Sequence, residues 1–216
     1  SCQLFGCRLS PIASTPPPIR MPLRNRARLE ILVVAILFST GGAAIKAAQF
    51  TSWQVAGLRS GIAAVAVWLL VPAARRIPRG TVRVTLLVAL AYAATLILFV
   101  LANKLTTAAN TIFLQSTAPL YILLLSPLLL REAITRRDLT FMAAVGVGMA
   151  LFFVGRQATF ATAPDPVRGN LLALLSGMSY AAMLVGLRWM STRGASPAAA
   201  VAVGNLLAFL LALPGL

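Results

Sequence analysis

Histidine is absent from the 216 residues, and the acidic count is 4 against 19 lysines and arginines. Without histidine the chain has no Ser-His or Cys-His nucleophile, no His-ligated zinc and no histidine proton relay. The two cysteines, Cys2 and Cys7, lie close together near the start, outside every apolar run; a disulfide between them would close a tiny loop. The acidic residues are Glu30, Glu132, Asp138 and Asp165, and none falls inside an apolar run. A buried carboxylate for proton coupling is therefore lacking in this stretch. Neither a metal nor a cofactor site is expected, and the chain is not read as an enzyme.

What is present is apolar. Hydrophobic residues make up 59% of the chain and charged residues 11%, more apolar surface than one globular core can hide. The net charge of +15 is no sign of a nucleic-acid binder, because the basic residues sit in short clusters between long apolar runs rather than on one water-soluble face. The class is an all-α integral membrane protein, with the lipid bilayer as its first partner.

A helix needs about 20 apolar residues to cross the hydrocarbon. Seven runs qualify: Ile31–Ile45, Trp53–Ala74, Val84–Ala102, Leu105–Leu130, Leu139–Gly155, Gly169–Leu187 and Gly194–Leu216. Thr51-Ser52 and Ser196-Pro197 read as helix starts, and Pro164-Asp165-Pro166 as a turn. Residues 1–26 are read as a disordered N-terminal extension, with Met21 as the natural start. Arg24–Arg28 ahead of the first run resembles a signal-peptide n-region, but six further spans make it a retained helix.

The basic residues test this count independently. One set of alternate connecting segments carries Arg20, Arg24, Arg26 and Arg28; Arg75, Arg76, Arg79 and Arg83; Arg131, Arg136 and Arg137; and Arg188 and Arg193. The other set carries only Lys46, Lys104, Arg156 and Arg168. By the positive-inside rule the N-terminus, Arg76 and Arg136 are cytoplasmic, while Lys104 and Asp165 are external. Contact with anionic lipids is a secondary consequence of the same clusters.

The start of the chain is echoed late in it. Arg28-Leu29-Glu30-Ile31-Leu32 precedes a helix with Ser39-Thr40-Gly41-Gly42 in its middle. Arg168-Gly169-Asn170-Leu171-Leu172 precedes one with Ser179-Tyr180-Ala181-Ala182 at the same offset. Span six thus reads as the opening of a second five-span copy, and an odd span number makes the copies face opposite ways, an inverted repeat.

The fourth span and its exit run from Thr106-Thr107-Ala108-Ala109-Asn110 through Ala118-Pro119-Leu120 to Leu130-Arg131-Glu132. This pattern resembles the EamA-type transporters of the drug/metabolite transporter superfamily. A small-residue stretch leads to a mid-helix proline and then a glutamate; Arg131 stands where the family often has glycine. Arg59 in span two and Arg168-Gly169-Asn170-Leu171 fit the same resemblance, which covers about residues 27–216. It implies ten spans in two five-helix halves around a central path. Residues 27–157 are then the first repeat and 168–216 the incomplete start of the second, with about three further spans expected past Leu216. It also implies a secondary transporter of small organic metabolites or drugs in the cytoplasmic (inner) membrane, working as an exporter. An intramembrane enzyme and a non-transporting assembly subunit are the alternatives.

Candidate residues for the substrate path follow from polarity at membrane depth. Arg59 lies about 9 Å into span two at 1.5 Å per residue, and its helical neighbours Ser52, Ala56, Ala63 and Ala66 form a small-residue face. Bracing against backbone carbonyls of span one or three is the favoured role, and a binding point for an anionic substrate group the alternative. Asn110, Thr117 and Tyr121 share a stripe on span four; Thr85, Tyr92, Thr95 and Asn103 do so on span three, and Ser176, Ser179 and Tyr180 on span six. Each residue alone reads first as helix–helix glue, while the three stripes together indicate a partly polar cavity. Ser39 and Thr40 in span one complete the candidates. Pro119 and Gly41-Gly42 are positions where helices four and one can bend. Gly57 and Gly61 form a G-x-x-x-G spacing whose first meaning is close helix packing and whose second is homodimerisation.

Overall fold

A computed structural model describes residues 21–129, 135–151 and 163–216. Both cysteines, Leu130-Arg131-Glu132 and Arg156 lie outside the described residues. No β-strand element occurs among the described residues, whose regular structure is all helical, as the composition leads one to expect. The helices are α1 (Met21–Ala47), α2 (Ser52–Leu70), α3 (Val82–Leu105), α4 (Ala108–Gln115), α5 (Ala118–Leu129), α6 (Arg136–Leu151), α7 (Pro166–Thr192) and α8 (Pro197–Ala212), with short 3₁₀ turns at Pro72–Arg75, Arg79–Thr81 and Leu213–Gly215. Segments within α1, α2, α3, α7 and α8 are long and apolar enough to cross a membrane. Two compact units are present, one ending at Thr40 and the other running from Gly41 to Leu216.

The helix starts are set by hydroxyl and carboxylate caps, which satisfy N–H groups that an apolar medium would leave unbonded. Thr51 and Gln54 make a reciprocal capping box on α2, with Gln54 N–H donating to Thr51 Oγ1 at 3.2 Å and Thr51 N–H to Gln54 Oε1 at 3.1 Å. Asp165 caps α7 and pairs with Arg168 at 3.2 Å, and Ser196 caps α8 ahead of Pro197.

Span four departs from the continuous helix that its length suggested. It is broken at Ser116-Thr117 into α4 and α5. Pro119 has no N–H for the Gln115 carbonyl, and its ring clashes with that group in a regular helix. The chain turns instead: Thr117 Oγ1 donates to Leu114 O at 2.6 Å and Leu120 N–H to Thr117 O at 2.9 Å.

In the larger unit α3 is central, packed on α7, α8 and α2, while α2 lies along α8. The contacts are built from small residues, including Ala56, Ala89, Ala93, Ala173, Ala200 and Ala208, all buried. Such faces let helix backbones approach when lipid supplies no hydrophobic drive for association. The Gly57/Gly61 pair serves α8 of the same chain. A Cβ at Gly57 would lie 3.1 Å from Ala212 Cβ, and one at Gly61 2.9 Å from Phe209 Cδ2. That seam is therefore spent within the chain, and homodimerisation through it loses its basis. The outer faces, such as Leu58, Ile62, Val65 and Leu69 on α2, are exposed and apolar, as a lipid-facing stripe must be.

The helix ends sort into two groups. Lys104 Nζ donates to Ala48 O at 2.6 Å, Asp165 N–H to Leu105 O at 3.1 Å and Gln54 Nε2 to Leu216 O at 3.4 Å, which gathers the α1–α2, α3–α4 and pre-α7 connections with the C-terminal turn. At the opposite end Ser196 Oγ donates to Ala73 O at 2.7 Å. Two arginines there lie over tryptophan rings, Arg75 on Trp68 at 4.9 Å and Arg193 on Trp189 at 5.0 Å, an arrangement suited to a membrane interface.

Gly169 and Gly204 are the tightest points against backbone. A Cβ at Gly169 would sit 2.7 Å from Thr106 N and 3.0 Å from Leu105 C, and one at Gly204 2.9 Å from Ala89 O. Gly169→Ala is therefore expected to lower the thermal midpoint in detergent by the equivalent of about 1–3 kcal/mol of overpacking. Gly146→Ala on α6, where no described atom beyond its own helix lies within 4 Å, should be neutral or stabilising.

Candidate functional site

The polar side chains of α3, α4 and α7 form two tiers. The first joins the α3–α4 connection to the first turn of α7. Thr106 and Asn170 are fully buried, and Thr106 Oγ1 donates to Asn170 Oδ1 at 2.9 Å. Asn110 Nδ2 reaches Thr106 Oγ1 and Asn170 Oδ1, both at 3.4 Å. Gly169 makes this contact geometrically available, since any side chain there would strike Thr106.

The second tier lies deeper, beside the break between α4 and α5. Gln115 Nε2 donates to Ser176 Oγ at 2.9 Å, and Ser176 Oγ donates to Thr95 O at 3.3 Å. Gly177, the next residue on α7, lets that helix approach the Leu114 and Gln115 carbonyls, 3.2 and 3.4 Å from where its Cβ would be. The break thus rests against a small, hydrogen-bonding face of α7.

Several of the sequence-derived candidates are consumed by these tiers. Asn110 belongs to the first, and Thr117 is buried with its hydroxyl on Leu114 O. Asn103 is fully buried, its Nδ2 donating to Phe99 O at 3.1 Å, while its Oδ1 has no partner and faces the niche over Gly42. Asn110 joins α4 to α7, while the Thr117 hydroxyl closes the break within its own span. The others are placed differently. Tyr92, Tyr121, Ser179 and Tyr180 are half-buried, and no side-chain hydrogen bond ties them to a described residue. Ser39 and Thr40 are exposed on α1 in the smaller unit, Thr40 Oγ1 returning to Leu37 O at 2.9 Å. The candidates are not gathered into one constellation by hydrogen bonds.

Arg59 corrects the favoured expectation. Its neighbours Ala56 and Ser60 are buried, yet Arg59 itself is exposed and makes no hydrogen bond or ion pair with a described residue. Bracing against carbonyls of α1 or α3 is not what the structure shows.

Sequence reasoning passed over Gln115, although an uncharged amide in the middle of an apolar run is itself a signal. It used Asn170 only as a mark of the repeat. Asn205 was also missed; it is buried on α8 with Nδ2 on Val201 O at 2.9 Å.

Long apolar helices, joined through small residues and burying polar side chains such as Thr106, Asn170 and Ser176 between them, define a multi-pass α-helical membrane protein. The model of the EamA-like transporter family matches residues 26–154. That is more than half of the chain, and the chain belongs to this family of small-molecule membrane transporters. No curated protein and no solved structure gives a match. The matched region takes in α1 through α6.

Removing Asn170 takes the acceptor from Thr106 and Asn110 in a fully buried site. Asn170→Ala is expected to cost about 1–3 kcal/mol, read as a lower thermal midpoint in detergent. Tyr180→Phe removes a hydroxyl with no hydrogen bond to a described residue and should leave that midpoint within about 0.5 kcal/mol of the parent.

Proposed function

We propose that the chain is a secondary transporter that carries a small organic molecule bearing an anionic group across the cytoplasmic membrane, with Arg59 as a point of substrate binding. The carrying observation is the placement of Arg59. A guanidinium at this depth costs several kcal/mol unless it is paired or hydrated, and the described residues offer it no partner. A substrate carboxylate or phosphate would supply one, in the planar two-point geometry that arginine favours. Tyr92, half-buried on α3, which packs on α2, offers a phenol with no side-chain hydrogen bond to a described residue. Tyr121, Ser179 and Tyr180 supply further uncommitted hydroxyls along the same reading of the path.

An inverted repeat underlies this proposal. α1 and α7 are each followed by a connection of equal length, residues 48–51 and 193–196, closed by a hydroxyl cap, Thr51 or Ser196. The first connection lies beside Leu105-Thr106 and the second beside Ala73, at opposite ends of the unit. α2 and α8 therefore run antiparallel, with Gly57 near the start of one against Ala212 at the end of the other. This is the relation expected between the first two helices of two oppositely facing copies. The arginine-rich end, with Arg75, Arg76, Arg79, Arg83 and Arg193, is assigned to the cytoplasm.

The test is flux of radiolabelled organic anions in proteoliposomes, with inside-out and right-side-out preparations reporting the exporter direction that the family resemblance implies. Arg59→Ala should raise the apparent KM by about tenfold or more, Arg59→Lys by less, and both should keep the parent thermal midpoint because no protein hydrogen bond is lost. A midpoint that falls in step with transport would return Arg59 to a bracing role and contradict this reading.

A further inference from the structure

The C-terminal turns of α1 and α3 lie side by side, α1 ending at Ala47 and α3 at Leu105, and each carries a lysine as its next-to-last residue. The lysines are exchanged. Lys46 Nζ donates to Thr106 O at 2.6 Å, and Thr106 is the residue that caps the C-terminus of α3. Lys104 Nζ donates to Ala48 O at 2.6 Å, in the turn that follows α1. The last carbonyls of a helix lack intrahelical donors and carry the negative end of its dipole. Two helix C-termini meeting in this way would repel. Each ammonium instead neutralises the other helix's end, and repulsion between the helix ends becomes a mutual clamp.

The clamp is continuous with the first polar tier. Thr106, whose carbonyl receives Lys46, donates its hydroxyl to Asn170 of α7, and Leu105 O accepts the Asp165 N–H that precedes α7. Behind it, Gly42 of α1 lies over Ala108, Ile112 and Asn103, with Ala108 Cβ 3.4 Å from where a Cβ of residue 42 would be. The two ammonium groups also act on one another as like charges. The two carbonyl bonds work against that repulsion, which suits an element with two states.

We propose that the exchanged lysines Lys46 and Lys104 are a latch that keeps this end of the transport path shut, and that its release lets α1 part from α3 and exposes the niche between Gly42, Asn103 and Ala108. The role in transport rests on the transporter reading; the latch itself does not. The test uses Ala108→Cys as a reporter in the full chain with Cys2 and Cys7 replaced by serine, reconstituted in nanodiscs and treated with a membrane-impermeant maleimide. With both lysines present the rate of labelling at position 108 should be low. Lys46→Met with Lys104→Met should raise it by about tenfold, and each single variant by less, since one charge-assisted bond remains. The double arginine variant, which still donates to both carbonyls, should restore protection. Equal labelling rates in the parent and in a methionine variant of unchanged helicity would overturn the latch; should the double variant fail to fold, the single variants carry the same comparison. Flux is not part of the readout, so a latch that opens in a chain that carries nothing would count against the transporter reading alone.

Discussion

Polar groups placed in hydrocarbon must find their partners inside the protein, and most of what is seen in this chain follows from that. Backbone groups are satisfied by helices. Where a helix starts, at Thr51, Thr107, Asp165 and Ser196, a side-chain oxygen accepts from its first turn. Where Pro119 forbids the regular ladder, the Thr117 hydroxyl takes the Leu114 carbonyl and α7 brings Gly177 and Ser176 up against the break. Where two helices end together, lysines are exchanged between them. The same requirement separates two kinds of polar side chain. Asn110, Asn170, Gln115, Ser176 and Thr117 are bonded within the protein and hold helices in place. Arg59 and the tyrosine hydroxyls have no such bond to a described residue.

Small residues make these arrangements reachable. The first tier exists because Gly169 lets the α7 backbone meet Thr106, and the second because Gly177 lets it meet the carbonyls beside the break. Larger side chains would separate the helices and strand the polar groups between them. Packing and hydrogen bonding are thus one constraint here rather than two contributions to be added, and a methyl group in the wrong place costs both.

Much of this was legible in the sequence. The spans came from apolar run lengths, and the alternation of arginine-rich and arginine-poor connections anticipated the grouping of helix ends that the Lys104–Ala48 and Ser196–Ala73 bonds display. Thr51 and Ser196 read correctly as caps because a hydroxyl before a helix has one main use. The break at Ser116-Thr117 was seen only as a bend, since a proline in an apolar run does not say whether the helix recovers after it. Asn103, Asn110 and Thr117 read ambiguously as cavity lining or glue, because a stripe of polar residues looks the same whether it faces a neighbouring helix or a ligand. Arg59 was misjudged for the opposite reason: its small-residue face is real, with Ala56 buried, but a long flexible side chain need not follow the face on which its Cα stands.

The division between polar groups committed to structure and polar groups left for substrate is the central claim, and the chain offers a direct view of it because it has only 3 tyrosines, Tyr92, Tyr121 and Tyr180. Fluorotyrosine labelling in nanodiscs gives each its own ¹⁹F resonance, alongside amide signals from Thr106 and Asn170. On titration with benzoate and other small organic anions, the Tyr92 resonance should shift saturably, the Thr106 and Asn170 amides should stay in place, and the Tyr92 response should vanish in Arg59→Ala. Tyrosine resonances that stay still while the Thr106 and Asn170 amides move would show that the ligand enters through the bonded tiers, and would contradict the account.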